Sequence, residues 1–206
     1  KQGKRVIVFS PFQKETLRYN PLALCKNATE VRNLAQTLLT NGNASVEAAT
    51  GSKGGGSEWI NMSTPLLTAF MLFVRDLPPP ENTVSKALNL IISNDLEDME
   101  MLLEDEGPEI QNQFLIFKQA AGAEETLSSI KTVLATNLQI FADPKIEQIT
   151  SYNEIRPEML RQKPTALYVV VPEQHSDLMA PLMGPFYKQM IERLMEVDGT
   201  PVMMLL

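Results

Sequence analysis

The alternation of hydrophobic and polar positions changes its period twice along the chain. Residues 6–9 form a Val-Ile-Val-Phe run that ends before Pro11, which predicts a short buried strand. From residue 29 onward, apolar residues recur every three or four positions, as is typical of amphipathic helices. A run rich in β-branched residues returns at 165–171, and a last apolar run occupies 201–206. The pattern predicts one strand, then about seven helices, then a strand, a helix and a strand.

This order of elements predicts a mainly α fold, in which an all-helical bundle is inserted between strands of a partial α/β domain. We expect residues 1–27 to form the first strand and its turn, and residues 28–162 to form the all-α domain. Residues 163–206 should form the strand–helix–strand unit, which is parallel and right-handed by default.

The ends and buried faces of several helices can be predicted as well. Thr29 is the expected cap of the first helix, and Ser57 is the expected cap of the second, which Pro65 can bend. The apolar face of the first helix contains Val31, Leu34, Ala35, Leu38 and Leu39. In the helix at 94–107, the residues spaced for one buried face are Leu96, Met99, Leu102 and Leu103.

The most glycine-dense segment does not have the spacing of a phosphate-binding loop. Such a loop needs G-x-x-x-x-G-K-[ST], whose lysine follows the second glycine, whereas Lys53 precedes Gly54, Gly55 and Gly56. No strand-like run leads into the segment either. We therefore interpret it as a flexible connector between two helices.

Composition narrows the function classes. The chain has 206 residues, 44% of them hydrophobic, and a net charge of -7, which disfavours a protein that acts mainly by neutralising phosphates. A single cysteine, Cys25, excludes an internal disulfide, and a single histidine, His175, makes a Cys/His zinc site a poor hypothesis. The apolar runs are too short to span a bilayer.

The helix at 94–107 carries the strongest charge feature of the sequence. Its acidic residues, with no lysine or arginine between them, are Asp95, Glu97, Asp98, Glu100, Glu104, Asp105 and Glu106. A charge run of this kind is most often a solvated helix face. The alternative is a docking surface for a basic partner, because a surface this acidic would repel the phosphates of DNA.

Three other features have a structural and a functional interpretation each. The basic residues near the N-terminus could contact DNA or could only keep a strand soluble: Lys1, Lys4, Arg5, Lys14 and Arg18. Trp59 is either a packing anchor or a base-stacking platform. His175 follows a predicted parallel strand, where α/β proteins place functional residues, but no nucleophile lies near it in the sequence, so we predict no catalytic residues.

Three segments together resemble one protein family. They are VIVFSPFQKETLRYNPL at 6–22, GGSEWINMSTPLLTAFMLFV at 55–74, and the stretch from FADPKIEQ to MIERL at 141–194. Their order and spacing resemble the conjugative coupling ATPases of the TraG/TraD type, which belong to type IV secretion systems. In that family the first strand ends in Asp-Pro-Phe, whereas Ser10 stands in the place of that aspartate here, which puts any role of the acid in doubt.

The resemblance implies an all-α domain with flanking pieces of a RecA-like nucleotide-binding domain. It implies that the phosphate loop (Walker A) and the metal-binding acids (Walker B) lie outside this chain. We therefore expect a fragment without ATPase activity, metal or cofactor, cut from a parent that binds ATP and Mg²⁺. The parent would be a membrane-anchored hexamer on the cytoplasmic side of the bacterial inner membrane, and the fragment a soluble monomer.

The resemblance also implies a function, the recognition of a relaxase, relaxosome protein or other basic secretion substrate for DNA transfer, with DNA as a further partner. Two alternatives come from other classes. One is a stand-alone helical adaptor or regulatory interaction protein with natural ends. The other is a hydrolase that uses paired carboxylates such as Glu104 and Glu106, which an acid-saturated, exposed run disfavours.

Overall fold

A computed structural model describes residues 5–51, 56–121 and 124–205, and the fold is mainly helical. The strands are β1 Arg5–Phe9 and β2 Thr165–Val169. The helices are α1 Ala28–Thr50, α2 Gly56–Arg75, α3 Val84–Ser93, α4 Leu96–Leu103, α5 Pro108–Ala120, α6 Glu124–Asn137, α7 Pro144–Thr150, α8 Met159–Gln162 and α9 Ser176–Glu196. The sequence predictions for Lys1, Lys4, Lys53, Gly54 and Gly55 lie outside the described residues.

Helix α2 is the centre of the bundle. It is apolar around most of its circumference, and it packs against α1, α3, α5 and α6. The helix runs through Pro65 without a break, and the hydroxyls of Thr64 and Thr68 donate to carbonyls one turn earlier, at 2.7 Å each. Those bonds satisfy polar groups that are otherwise buried among aliphatic and aromatic side chains.

The predicted buried face of α1 is confirmed, but both predicted helix caps are wrong. The Asn27 side chain caps α1 by accepting a bond from the Glu30 amide, so Thr29 lies inside the first turn. Helix α2 begins at Gly56, which places Ser57 inside it. Helix α1 also continues to Thr50, where Gly51 ends it with a left-handed φ of 66°.

Strands β1 and β2 form a two-stranded parallel sheet in which Ile7 lies opposite Leu167. Only one face of this sheet is covered: Ile7 and Phe9 are buried, whereas Val6 is 59% exposed and Tyr168 is 58% exposed. The prediction of buried strands was therefore wrong at Val6 and Val8 of β1, and no residue of β2 is fully buried, because nothing within the described residues covers the outer face.

The predicted final strand is wrong. Residues 201–205 have no strand structure, and Met203 and Leu205 are largely exposed. A strand needs a neighbouring strand to satisfy its amide and carbonyl groups, and none of the described strands pairs with this segment. The apolar character of the run does not replace that partner.

Helix α9 joins the strand pair to the bundle. It lies along α1, and its Phe186 ring stacks on Phe9 of β1 at 4.9 Å and meets Tyr19 edge-on at 4.9 Å. The buried guanidinium of Arg193 donates to the Leu24 carbonyl at 2.6 Å and lies 2.5 Å from the Glu30 carboxylate. The sheet and the bundle therefore share one continuous core.

The chain passes from the strands into the bundle and back at two adjacent places. The Tyr19 amide donates to the Ile149 carbonyl at 2.8 Å, and the Glu154 amide donates to the Arg18 carbonyl at 2.9 Å. The Arg18 guanidinium forms two bonds to the Glu154 carboxylate, at 3.1 and 3.0 Å, and lies 4.5 Å from the Tyr152 ring centroid. This bidentate pair fixes the two crossings to each other.

The pair should make part of the stability depend on pH. The hydrogen bonds from Arg18 lower the pKa of Glu154, so its contribution is present above the unfolded pKa of about 4.3 and is lost as pH falls through the folded pKa. We expect Glu154→Gln to cost about 0.5–1 kcal/mol at pH 7, since the pair is partly exposed. Urea unfolding between pH 7 and pH 3 should show that difference shrink toward zero.

A matched control for this measurement is Glu15→Gln. Glu15 is exposed, lies outside the described helices and forms no ion pair with any residue that the structure describes, so its replacement should change stability little at either pH. A loss for Glu154→Gln that is equal at pH 7 and pH 3 would show that the ion pair is not its cause.

Candidate interaction surface

The acidic residues lie on a helical hairpin formed by α4, the connection at 104–107 and α5. The Asp95 carboxylate caps α4 by accepting a bond from the Asp98 amide at 2.9 Å, so this acid has a structural role. At the other end of α4, the Gln111 amide group of α5 donates to the carbonyls of Leu103 and Glu104. Those bonds close the end of α4 and fix the connection to α5.

The negative charge of the protein is concentrated on this hairpin. Residues 94–109 contain eight acids and no lysine or arginine, whereas the whole chain has a net charge of -7, so the remainder carries -7 - (-8) = +1. All eight acids are exposed. Seven of them form no ion pair with any described residue: Asp95, Glu97, Asp98, Glu104, Asp105, Glu106 and Glu109. The negative charge of this surface is therefore largely not balanced by basic side chains of the same chain.

One acid has a partner that the sequence did not indicate. The ammonium of Lys118, on α5, lies 2.8 Å from the Glu100 carboxylate. The expectation that the acidic run has no basic residue to pair with was therefore wrong at Glu100. The helical hairpin brings the two residues together across 18 positions of sequence, and local charge patterning contains no signal of such a contact.

A groove with an apolar floor runs between α4 and α5, inside the acidic surface. Its floor contains the buried side chains of Leu103 and Phe114, and Met101 stands at its side with 74% of its surface exposed. The polar residues that line the groove are Glu97, Glu100, Glu104, Gln111 and Lys118. Leu102, which was predicted to be buried, is 37% exposed, because α4 covers only a narrow strip of the bundle with Met99 and Leu103.

The structure does not bring the basic residues of the N-terminal cluster into one patch. Arg5 begins β1 and Lys14 follows its end, so the five-residue strand separates them by roughly 15 Å. Arg18 is engaged with Glu154. Of the described residues of the cluster, only Arg5 and Lys14 point exposed side chains to solvent without an ion pair, and direct DNA contact by this cluster remains a prediction.

At the carboxyl edge of the two strands, His175 contacts one aromatic ring and one amide side chain. The His175 ring stacks on Phe12 at 4.4 Å, and its Nε2 lies 3.2 Å from the Gln174 side-chain nitrogen. The Ser10 amide donates to the Thr16 hydroxyl at 2.8 Å. Among residues 5–51, 56–121 and 124–205, no group of three His, Cys, Asp or Glu side chains converges to hold a metal ion.

Two further candidates have structural positions. Cys25 is buried, and burial raises the pKa of its thiol to about 12, so it stays protonated at neutral pH. Trp59 is partly buried and packs against the core, as its packing interpretation predicts. No helix within the described parts of the chain has the length and apolar character needed to cross a bilayer.

The chain is similar to proteins of conjugative DNA transfer over its whole length. A family profile described as "Type IV secretory system Conjugative DNA transfer" matches residues 1–206. The chain is 28% identical over 203 residues to the protein VirD4 of Rhizobium radiobacter, in an alignment that covers 93% of this chain and 28% of VirD4. The chain thus spans little more than a quarter of the length of this relative.

Solved structures of one coupling protein share the fold. The plasmid coupling protein TrwB in complex with a non-hydrolysable ATP analogue matches with a TM-score of 0.65 and 13% identity, covering 95% of this chain and 43% of that one. TrwB in complex with ADP and Mg²⁺ matches with a TM-score of 0.61 and 12% identity, covering 94% and 42%. At these identities the likeness shows the fold alone.

Proposed function

The chain belongs to the type IV secretory system conjugative DNA transfer family, and from this premise we propose that it is the substrate-recognition part of a coupling protein. In this proposal, the acidic hairpin of α4 and α5 docks a basic secretion substrate, such as a relaxase or a relaxosome protein. The observation that carries the proposal is the uncompensated charge of seven exposed acids on one helical hairpin. Such a surface attracts a basic protein and selects against a bare phosphate backbone.

The all-α domain, residues 28–162, is proposed as an insertion between two parts of a RecA-like nucleotide-binding domain, residues 1–27 and 163–206. The exposed apolar face of the two strands supports this, because a parallel sheet is normally covered on both faces. TrwB binds an ATP analogue and ADP with Mg²⁺, and we infer that the parent of this chain uses ATP and Mg²⁺. The 206 residues contain no G-x-x-x-x-G-K-[ST], so hydrolysis would need residues from elsewhere.

The parent would form a ring of six subunits at the cytoplasmic side of the inner membrane, with DNA as a second partner. The ring and the membrane association come from the family resemblance. The charge distribution of this chain bears only on the docking step, which is the step that can be tested with the chain alone.

Reversing three unpaired acids should weaken docking. In the variant Glu97→Lys, Asp98→Lys and Glu104→Lys, we expect the affinity for a relaxase of the same conjugative system to fall at least about tenfold, since each exposed charge contributes about 0.2–1 kcal/mol. Titration calorimetry measures the affinity, and circular dichroism should show unchanged helicity, because all three side chains are exposed.

The control variant reverses three exposed acids elsewhere, Glu15→Lys, Glu58→Lys and Glu173→Lys, and changes the net charge equally. Its affinity should fall much less. An equal fall in both variants would show that the loss of affinity comes from the change in net charge and not from the position of the acids. Full affinity in the first variant would leave the acidic run as a solvated helix face, and a helical adaptor with another docking surface would become the better hypothesis.

A further inference from the structure

The groove between α4 and α5 already holds one basic side chain, that of Lys118. Its ammonium lies 2.8 Å from the Glu100 carboxylate and 6.0 Å from the centroid of the Phe114 ring. The Lys118 and Glu100 side chains are 41% and 46% exposed, so water competes for both groups. An ion pair this exposed is weak and can be exchanged for another one.

We propose that Lys118 occupies, from within the chain, the position that a lysine or arginine of the docked protein takes, and that it lowers the affinity of the groove until it is displaced. This inference rests on the proposed function, because it assumes that a basic protein docks on the acidic hairpin. It adds two details to the proposed function. The docked basic side chain binds at the Glu100–Phe114 end of the groove, and Lys118 sets the affinity of that contact.

The groove has the chemistry that a long basic side chain needs. Lysine and arginine bury their alkyl stems along apolar surface while the charged end stays near water and acids. The apolar floor of Leu103 and Phe114 and the side chain of Met101 offer that surface, and the Glu97 and Glu104 carboxylates flank it. Charge complementarity therefore selects a basic side chain with an alkyl stem over a small or acidic one.

A second lysine provides a matched comparison. Lys86 of α3 pairs with Glu81 at 3.2 Å, and the two side chains are 39% and 53% exposed, close to the values for Lys118 and Glu100. Lys86 does not line the groove. Its replacement changes net charge and breaks an exposed ion pair, as the replacement of Lys118 does, but it leaves the groove unaltered.

The test compares Lys118→Met with Lys86→Met in the complete 206-residue chain. The probe is a fluorescently labelled, alanine-based peptide rich in lysine, and fluorescence anisotropy at low salt measures its affinity. We expect Lys118→Met to bind the peptide about two- to fivefold more tightly than the wild type, because Glu100 and the groove become free. Lys86→Met should bind about as the wild type does, and thermal unfolding should verify that each variant is folded.

The outcomes separate this inference from the proposed function. If Lys118→Met binds no more tightly than Lys86→Met, while the charge reversal of Glu97, Asp98 and Glu104 still weakens relaxase binding, the inference is overturned and the docking proposal stands. If both lysine variants gain equally, overall charge explains the gain and the inference is again overturned. If the wild type and Lys118→Met both fail to bind the peptide, and charge reversal does not affect the relaxase, both proposals fail.

Discussion

Replacing Phe186 with alanine should lower the free energy of unfolding by about 3–5 kcal/mol, and the strands and the helical bundle should then unfold together. Phe186 is buried between Phe9 of β1 and Tyr19, with both ring centroids at 4.9 Å. Its removal leaves a cavity at the point where α9 joins the two parts. Since α9 also lies along α1, the loss cannot be confined to the strands.

Two probes, one in the bundle and one in the strands, test whether the two parts unfold together. Trp59, the single tryptophan, reports on the bundle through its fluorescence during urea unfolding, and hydrogen exchange of the β1 amides reports on the strands. Tyr168→Ala is the control, because that aromatic ring is exposed on the outer face of β2 and should cost about 1 kcal/mol or less. Separate transitions, with only the strand probe shifted, would contradict a single cooperative unit.

The same junction shows how far the sequence predicts the fold. The helical spacing in α1 correctly identifies Val31, Leu34 and Leu38 as buried, because that signal depends on the face that a helix presents to any core. The apolar run of β1 does not distinguish the buried Phe9 from the exposed Val6, because strand burial depends on what covers each face of the sheet. The apolar run at 201–205 is misjudged because a strand also needs a neighbouring strand to pair with, which local sequence does not show.

The candidate site is also predicted only in part, because the sequence shows charge and helical spacing but not contacts between helices. A run of acids without bases is visible in the sequence, and so is its helical spacing, which places Met99 and Leu103 against the bundle. The groove and the Lys118–Glu100 pair are not visible, because they depend on how the connection at 104–107 places α5 beside α4. Contacts between helices depend on the hairpin geometry, which local periodicity does not contain.

A close contact between helices α1 and α6 leads to the second large expected effect. Gly42 is buried in α1, and a Cβ atom at this position would lie 2.2 Å from the carbonyl oxygen of Asn137, the last residue of α6. Backbone atoms cannot rotate away as a side chain can. We therefore expect Gly42→Ala to destabilise the protein by about 1–3 kcal/mol or more, although alanine is the better helix former by about 1 kcal/mol.

Whether alanine stabilises or destabilises the protein at a given position of α1 shows whether packing or helix propensity dominates there. Ala44 is exposed in the interior of α1, and Ala44→Gly should cost about 1 kcal/mol by propensity alone, so the preference between glycine and alanine reverses over two positions. Urea unfolding of the two variants measures the change in the free energy of unfolding that each substitution causes. Greater stability in Gly42→Ala would mean that α6 can move away from α1. Because the Asn137 end of α6 leads through residues 139–142 to α7 and the Glu154 crossing, such freedom would also contradict the rigid connection between the bundle and the strands.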